Sequence, residues 1–323
     1  MKMNSTLVLF LMTMTVGVMV TLSCNTFLMM WVGLELSLIS FIPMMTMKGI
    51  SGSESSIKYF IVQSASSCLL ILGLLFMLMY NSSYEFLILM SLSLKVGLAP
   101  FHNWVLSMVD GLDYFLLFIL LSVMKISPIF IISYMTMNFD LMILMSLLFG
   151  SISGLNQNSI RKIMAFSSIY NLGFIISSIY MNSIWMVYLI LYSLVLFMLI
   201  YNFMNLSLNY LNQFIVNNFD FKTKFTLWIC LLSLGGMPPM LGFLNKIIIF
   251  DFMMFNKNYL ILFFMISSSL LVMFFYIRIS LISLMIFNLN MKWNFFNMKM
   301  NSYNLIMINF IAFPAFILIK IIM

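Results

Sequence analysis

Long apolar stretches follow one another along this chain, separated by short clusters of Asn, Ser, Lys and Gly, and within a stretch the residues do not alternate in character. Apolar runs of about 20 residues are what a membrane-spanning helix needs, whereas barrel strands would alternate between apolar and polar positions. Reading the runs between polar breaks predicts about eleven helices, at 5–23, 26–47, 57–79, 84–109, 113–136, 140–156, 160–180, 183–205, 223–252, 258–288 and 303–322. The expected fold is an all-α integral membrane protein. The longest polar connections, NYLNQFIVNNFDFKTK and NLNMKWNFFNMKMNSYN, read as linkage or as surfaces packing against a partner. The opening stretch, MKMNSTLVLFLMTMTVGVMV, is followed by no small-residue cleavage site and lacks the Arg-rich look of a transit peptide, so it reads as a retained first helix.

Two predicted spans carry helix breakers. The fourth contains KVGLAPFHNW, with Gly97 and Pro100, and the ninth SLGGMPPMLGF, with Gly235, Gly236, Pro238 and Pro239. Proline removes an N–H and clashes with the preceding turn, and glycine tolerates the resulting bend. Within a membrane such a break survives only where protein or a wet cavity satisfies the freed groups. The breaks lie five spans apart, an odd number, so the two helices cross in opposite directions. That is the pattern of an inverted repeat, although two independent kinks would look the same. The expected organisation is one membrane domain over 1–323. It comprises a first five-helix unit at 1–136, a second inverted unit at 137–290, and a loop with the final helix at 291–323.

Composition sharpens this picture. Hydrophobic residues make up 64% of the chain and charged ones 7%, against about 25% charged in a soluble domain. The net charge of +7 is scattered, with no basic run suited to nucleic acid. With eleven spans, nine basic residues (Lys2, Lys48, Lys58, Arg161, Lys162, Lys222, Lys224, Lys292 and Lys299) fall on the side of the N-terminus and two, Lys257 and Lys320, on the other. The positive-inside rule then turns the N-terminus toward the negative compartment, matrix or cytoplasm.

Four charges sit inside apolar runs instead: Glu35, Lys95, Lys125 and Lys246. Uncompensated at mid-bilayer, the four would cost roughly 10–14 kcal/mol, and the usual reason to keep such groups is to move ions or protons. Lys95 lies five residues before Pro100 and Lys246 seven after Pro239. Lys125 lies three before Pro128, which is expected to free the carbonyl of Leu121. Burial disfavours a charged amine and a nearby carboxylate favours it. Movement of Glu35 relative to Lys95 would then switch that lysine between holding and releasing a proton, with Lys125 pushing toward release. The groups would titrate as a coupled set. Ser91, Ser93, His102, Ser127 and Tyr192 are candidates to bridge the gaps with water. The plainer alternative is that these charges are structural ion pairs, or that the lysines snorkel. Arg278 reads as a snorkelling or anchoring residue. The lone His102 is either a relay or a hydrogen-bonded packing residue. The remaining acids, Glu54, Glu85, Asp110, Asp113, Asp140, Asp220 and Asp251, read as solvated charge in or near loops, and NQNS at 156–159 reads as a turn.

Cys24, Cys68 and Cys230 stand far apart with no CxxC, which argues against an iron–sulfur site or a disulfide framework. One histidine excludes a bis-histidine haem within the chain. No nucleotide-binding glycine loop, zinc motif or catalytic triad is visible.

Together, WVGLELSLISFIP, SSIKYFIVQS, KVGLAPFHNWV, MKISP, GLNQNSIRKIMAFSSI and SLGGMPPMLGFLNK resemble the chain 2 family of mitochondrial NADH:ubiquinone oxidoreductase, animal type, among the antiporter-like subunits of respiratory complex I. The abundance of Met, Phe and Ile and the scarcity of Ala are similar to chains encoded in A+T-rich animal mitochondrial genomes. The resemblance implies a core membrane-arm subunit of the mitochondrial inner membrane, with its N-terminus in the matrix and its C-terminus in the intermembrane space. It implies proton translocation coupled to electron transfer from NADH to ubiquinone, performed in other subunits that carry FMN, iron–sulfur clusters and ubiquinone, and no cofactor or metal in this chain. The implied partners are an antiporter-like neighbour, small membrane subunits, accessory subunits and lipids such as cardiolipin. Glu35, Lys95, Lys125 and Lys246 match the family's functional charges. Where relatives often read Asn-His-Leu-Gly after AFSSI, this chain reads Tyr170-Asn171-Leu172-Gly173, so Tyr170 or water would have to replace a histidine relay. Two other classes remain open on sequence grounds: a stand-alone cation/proton antiporter component, and a purely structural subunit.

Overall fold

The computed structural model describes residues 5–47, 49–80, 85–135, 139–180, 184–216, 221–285 and 309. Among these residues the chain is helical, with one isolated antiparallel bridge between Ser159 and Tyr210. Seven helices are long and apolar enough to cross a membrane by length and composition. The predicted span at 303–322 lies outside the described residues, apart from Asn309, which is buried. The chain packs as two compact units, divided between Ser146 and Leu147, inside the helix Asp140–Leu155.

The first unit holds α1 (Ser5–Ser23), α2 (Phe27–Thr46), α3 (Ile50–Tyr80), α4 (Glu85–Val96), α5 (Asn103–Val109), α6 (Tyr114–Leu121) and α7 (Val123–Ile132). α1 and α2 form a tight hairpin because Gly17 and Gly33 let their backbones meet. A Cβ on Gly17 would lie 2.9 Å from the Gly33 carbonyl oxygen, and one on Gly33 2.8 Å from that of Gly17. Small residues are the usual means of such approach where no hydrophobic force drives helices together. Met12, Met19 and Leu9 point outward from the same hairpin and are exposed.

α3 begins at Ile50, seven residues before the predicted start. The polar segment Ser51–Ser56 belongs to the helix because its groups are satisfied locally. Ser53, Ser55 and Ser56 donate to the carbonyls of Ile50, Gly52 and Ser53, and Lys58 pairs with Glu54 one turn away at 2.5 Å. Glu54 is therefore a helical residue rather than a loop charge.

The predicted fourth span is two helices, α4 and α5. Its break is built by Gly97, at φ +78°, where a side chain would be strained and a Cβ would lie 2.6 Å from Val105. The N–H groups of Gly97 and Leu98 both donate to the Ser93 carbonyl, at 3.0 Å each, the bifurcated close that a left-handed glycine allows. The Ala99–Pro100 peptide is cis. The predicted fifth span is also divided, into α6 and α7, at Ser122 (φ −118°, ψ −72°). The N–H of Lys125, which in a regular helix would reach Leu121, goes to Ser122 at 3.2 Å. The Leu121 carbonyl thus loses its usual donor through the kink at Ser122, and not through Pro128, whose missing N–H bears on Met124 four residues back.

The second unit, after α8 (Asp140–Leu155), holds α9 (Ile160–Ile179), α10 (Ile184–Leu206), α11 (Gln213–Val216), α12 (Phe221–Gly235), α13 (Leu241–Phe255) and α14 (Tyr259–Met285). α9 is buried along nearly its whole length and packs against α10 and α13. The NQNS turn docks on the loop that carries α11. Ile160 N–H donates to Asn209 at 3.0 Å, Leu211 N–H to Asn158 at 3.1 Å, and Arg161 Nη2 to the Asn209 side chain at 2.9 Å. The predicted ninth span is α12 and α13. Its break repeats the geometry of the first. Gly236 sits at φ +78°, the N–H groups of Gly236 and Met237 share the Leu232 carbonyl at 3.0 and 3.1 Å, and the Pro238–Pro239 peptide is cis. Asp251, expected near a loop, lies within α13, because the helix runs on to Phe255.

Glycine carries both breaks, and Gly242 a close approach of α13 to α12. Gly97→Ala and Gly236→Ala are each expected to destabilise by about 1–2 kcal/mol from backbone strain alone. Gly242→Ala should be worse, since its Cβ would lie 1.7 Å from the Ser233 carbonyl oxygen and force α12 and α13 apart. Melting of the membrane-embedded protein in the three variants should rank Gly242→Ala lowest.

Candidate functional site

In the first unit, α2 and α4 bring Glu35 and Lys95 together. The Lys95 Nζ lies 3.2 Å from Glu35 Oε1, with side chains 4% and 22% exposed respectively. Lys95 stands in the last turn of α4, immediately before the glycine break, where the helix would leave carbonyls without donors. Two side chains supply them: Gln63 Nε2 of α3 donates to the Lys95 carbonyl at 3.2 Å and Trp104 Nε1 of α5 to that of Leu94 at 3.0 Å. The carbonyls of Leu94 and Lys95 at the broken end thereby gain side-chain donors. Tyr59 packs against Phe41 and Trp104 behind it.

Lys125, on α7, is buried and lines the same cavity as Lys95, together with Tyr59, Gln63, Trp104 and Ser127. The cavity has a volume of ≈ 30 Å³, room for about two water molecules. No carboxylate among the described residues forms an ion pair with Lys125. The cavity is thus lined by one lysine paired to a carboxylate and a second without such a pair among the described residues.

In the second unit, the candidate charge singled out by the sequence is Lys246, on α13. Its Nζ donates to the Gly235 carbonyl, the last of α12, at 2.7 Å, and lies 5.5 Å from the centre of the Tyr170 ring. Gly236 lies beneath it at φ +78°, where a side chain would be strained, and a Cβ there would stand 2.7 Å from the amine. Lys246 lines a small cavity of ≈ 10 Å³ with Asn171, Tyr188, Tyr192, Ser233 and Asn245. Asn171 is held in one orientation: Tyr188 donates to its Oδ1 at 2.8 Å, and its Nδ2 donates to the Ser167 carbonyl at 2.9 Å. The amine therefore has a carbonyl, a π face and several neutral oxygens around it, but no carboxylate of the described residues within ion-pair distance.

The other candidates fall in different places. Ser91 and Ser93 donate to the carbonyls of Ile88 and Met90 at 2.7 Å. His102 precedes α5 and bonds the Pro100 backbone, and it is not among the residues lining the first cavity. Tyr170 presents its ring to Lys246, with its hydroxyl beside Ser268. Tyr192 lines the second cavity. Arg278 is half-buried on α14. Sequence reasoning missed Gln63, Trp104, Asn171, Tyr188 and Asn245. The available signal was an amide interrupting an apolar run, as in YFIVQS and GFLNK, but only packing reveals which way such a side chain faces.

The family model described as NADH:quinone oxidoreductase/Mrp antiporter, TM, matches residues 24–272. The chain is 39% identical to NADH-ubiquinone oxidoreductase chain 2 of Anopheles gambiae, with 97% of each chain covered, and 34% identical to that of Mus musculus, with 78% of each covered. Among solved structures, a chain of respiratory complex I from Thermus thermophilus shares the fold with a TM-score of 0.81 at 19% identity, covering 97% of this chain and 78% of that one. A chain of an archaeal membrane-bound sulfane sulfur reductase does so with a TM-score of 0.80 at 14% identity, covering 95% and 72%. With a family match over most of its length and animal relatives matching 78–97% of it, the chain belongs to the NADH-ubiquinone oxidoreductase chain 2 family.

Proposed function

We propose that this chain is a core membrane-arm subunit of respiratory complex I that moves protons from the mitochondrial matrix to the intermembrane space. Electron transfer from NADH to ubiquinone in other subunits supplies the free energy, and each charge moved against the potential takes about 2.3 kcal/mol per 100 mV. The observation that carries the reading is the pair of amines, Lys95 and Lys125, on one cavity with room for about two water molecules, with Glu35 bonded to the first. A carboxylate at 3.2 Å favours the charged amine, and its withdrawal favours release of the proton. Lys246, bonded to the end of a broken helix, is the corresponding carrier in the second unit.

The matched breaks support an inverted repeat. The same glycine, the same shared carbonyl and the same cis proline recur in spans an odd number apart. The distribution of basic residues supports an N-terminus in the matrix and a C-terminus in the intermembrane space. FMN, iron–sulfur clusters and ubiquinone belong to other subunits in this reading. Exposed apolar faces such as Phe263, Leu270 and Phe274 of α14 meet lipid, including cardiolipin, or neighbouring membrane-arm and accessory subunits.

Glu35→Gln and Lys95→Met in the assembled complex are expected to lower NADH-driven proton transport by about tenfold or more, and unchanged proton-to-electron stoichiometry and rate would contradict the assignment. Orientation is checked separately: an antibody to residues 1–5 should bind only after the inner membrane is opened, and binding to intact mitoplasts would reverse the topology.

A further inference from the structure

Among the described residues, serine hydroxyls mostly turn back on their own helix. In the first unit, Ser37, Ser66, Ser91 and Ser93 each donate to the carbonyl three residues earlier at 2.7 Å, and Ser122 donates to Phe118 at 2.6 Å. Back-bonding of this kind is how a helix ordinarily satisfies a buried hydroxyl. Ser127 departs from it. It is 1% exposed, its Oγ has no hydrogen-bond partner in the protein, and it lines the cavity that Lys95 and Lys125 share. A buried hydroxyl left unpaired is costly, and such groups are met by ordered water where space exists. Space exists here, for about two water molecules.

The chemistry of the two amines explains what a hydroxyl adds. An ammonium group donates and cannot accept, whereas a hydroxyl does both at one oxygen. We infer that Ser127 is a positioning residue for proton transfer between Lys125 and Lys95, holding the cavity water with its hydroxyl and forming with it a donor–acceptor bridge between the amines. In the transfer step one N–H bond of the Lys125 ammonium breaks as its proton passes to a bridge oxygen. An O–H proton of the bridge passes to the neutral amine of Lys95, forming a new N–H bond. Ser127 leaves the step chemically unchanged, with its hydroxyl turned, and the reverse direction uses the same atoms. This inference rests on the proton-conducting reading given above.

The test uses the assembled complex in sealed vesicles, with NADH-driven proton transport measured in H2O and D2O for Ser127→Ala, Ser127→Thr and Lys125→Met. A water can take over part of a lost hydroxyl's role, so Ser127→Ala should slow transport by about three- to tenfold rather than abolish it. The H2O/D2O rate ratio should rise in that variant, and Ser127→Thr should restore both. An unchanged rate and ratio in Ser127→Ala, beside a large loss in Lys125→Met, overturns the role of Ser127 and leaves the proton-conducting reading intact. No loss in Lys125→Met overturns that reading, and this inference with it. Should the alanine variant fail to assemble, Ser127→Cys, whose thiol is a weak donor and acceptor, provides the same test: slowed transport supports the bridge, and an unaltered rate and isotope ratio overturns it.

Discussion

An ammonium group inside a hydrocarbon slab needs oxygen around it, and a regular helix has little to give, because only its last four carbonyls lack an internal donor. This chain brings those ends to its amines by breaking helices within the apolar layer. Lys95 stands in the turn that ends at Gly97, and Lys246 donates to the carbonyl that ends α12. The carboxylate of Glu35 completes the first arrangement, while a carbonyl and the Tyr170 ring serve the second.

The two breaks show how a short sequence builds such an end. A glycine in the left-handed region reverses the chain, two successive N–H groups close on one carbonyl, and a proline follows. What differs is the side of the break on which the lysine lies: before it in α4 and after it, in α13, in the second unit. The first amine therefore extends from a helix whose terminal carbonyls are taken by Gln63 and Trp104, and finds its partner on α2. The second reaches back to a terminal carbonyl directly. One backbone device yields a carboxylate-paired amine in one unit and a carbonyl-bonded amine in the other.

Much of this was legible in the sequence. Apolar run lengths located the helical stretches of the described residues, seven of them long and apolar enough to cross a membrane by length and composition, and Gly-Pro clusters marked the two breaks, because those residues act on the backbone wherever they occur. Charges in apolar runs singled out Glu35, Lys95, Lys125 and Lys246. The misses have equally physical reasons. The early start of α3 was hidden because serines that bond their own helix look like loop residues when read singly. The kink at Ser122 carries neither glycine nor proline. Gln63, Asn171, Tyr188 and Asn245 are ordinary polar side chains until packing directs them at a broken helix end or a lysine. Ser127 and Ser91 read alike in sequence, and only the cavity separates them.

The most direct measurement of the central claim is a density map of the assembled complex in which ordered water is resolved around the Nζ atoms of Lys95, Lys125 and Lys246. Water should stand in hydrogen-bond contact with each amine, with Glu35 still bonded to Lys95 in at least one state. Amines packed dry against apolar side chains, or drawn out to the lipid headgroups, would contradict it.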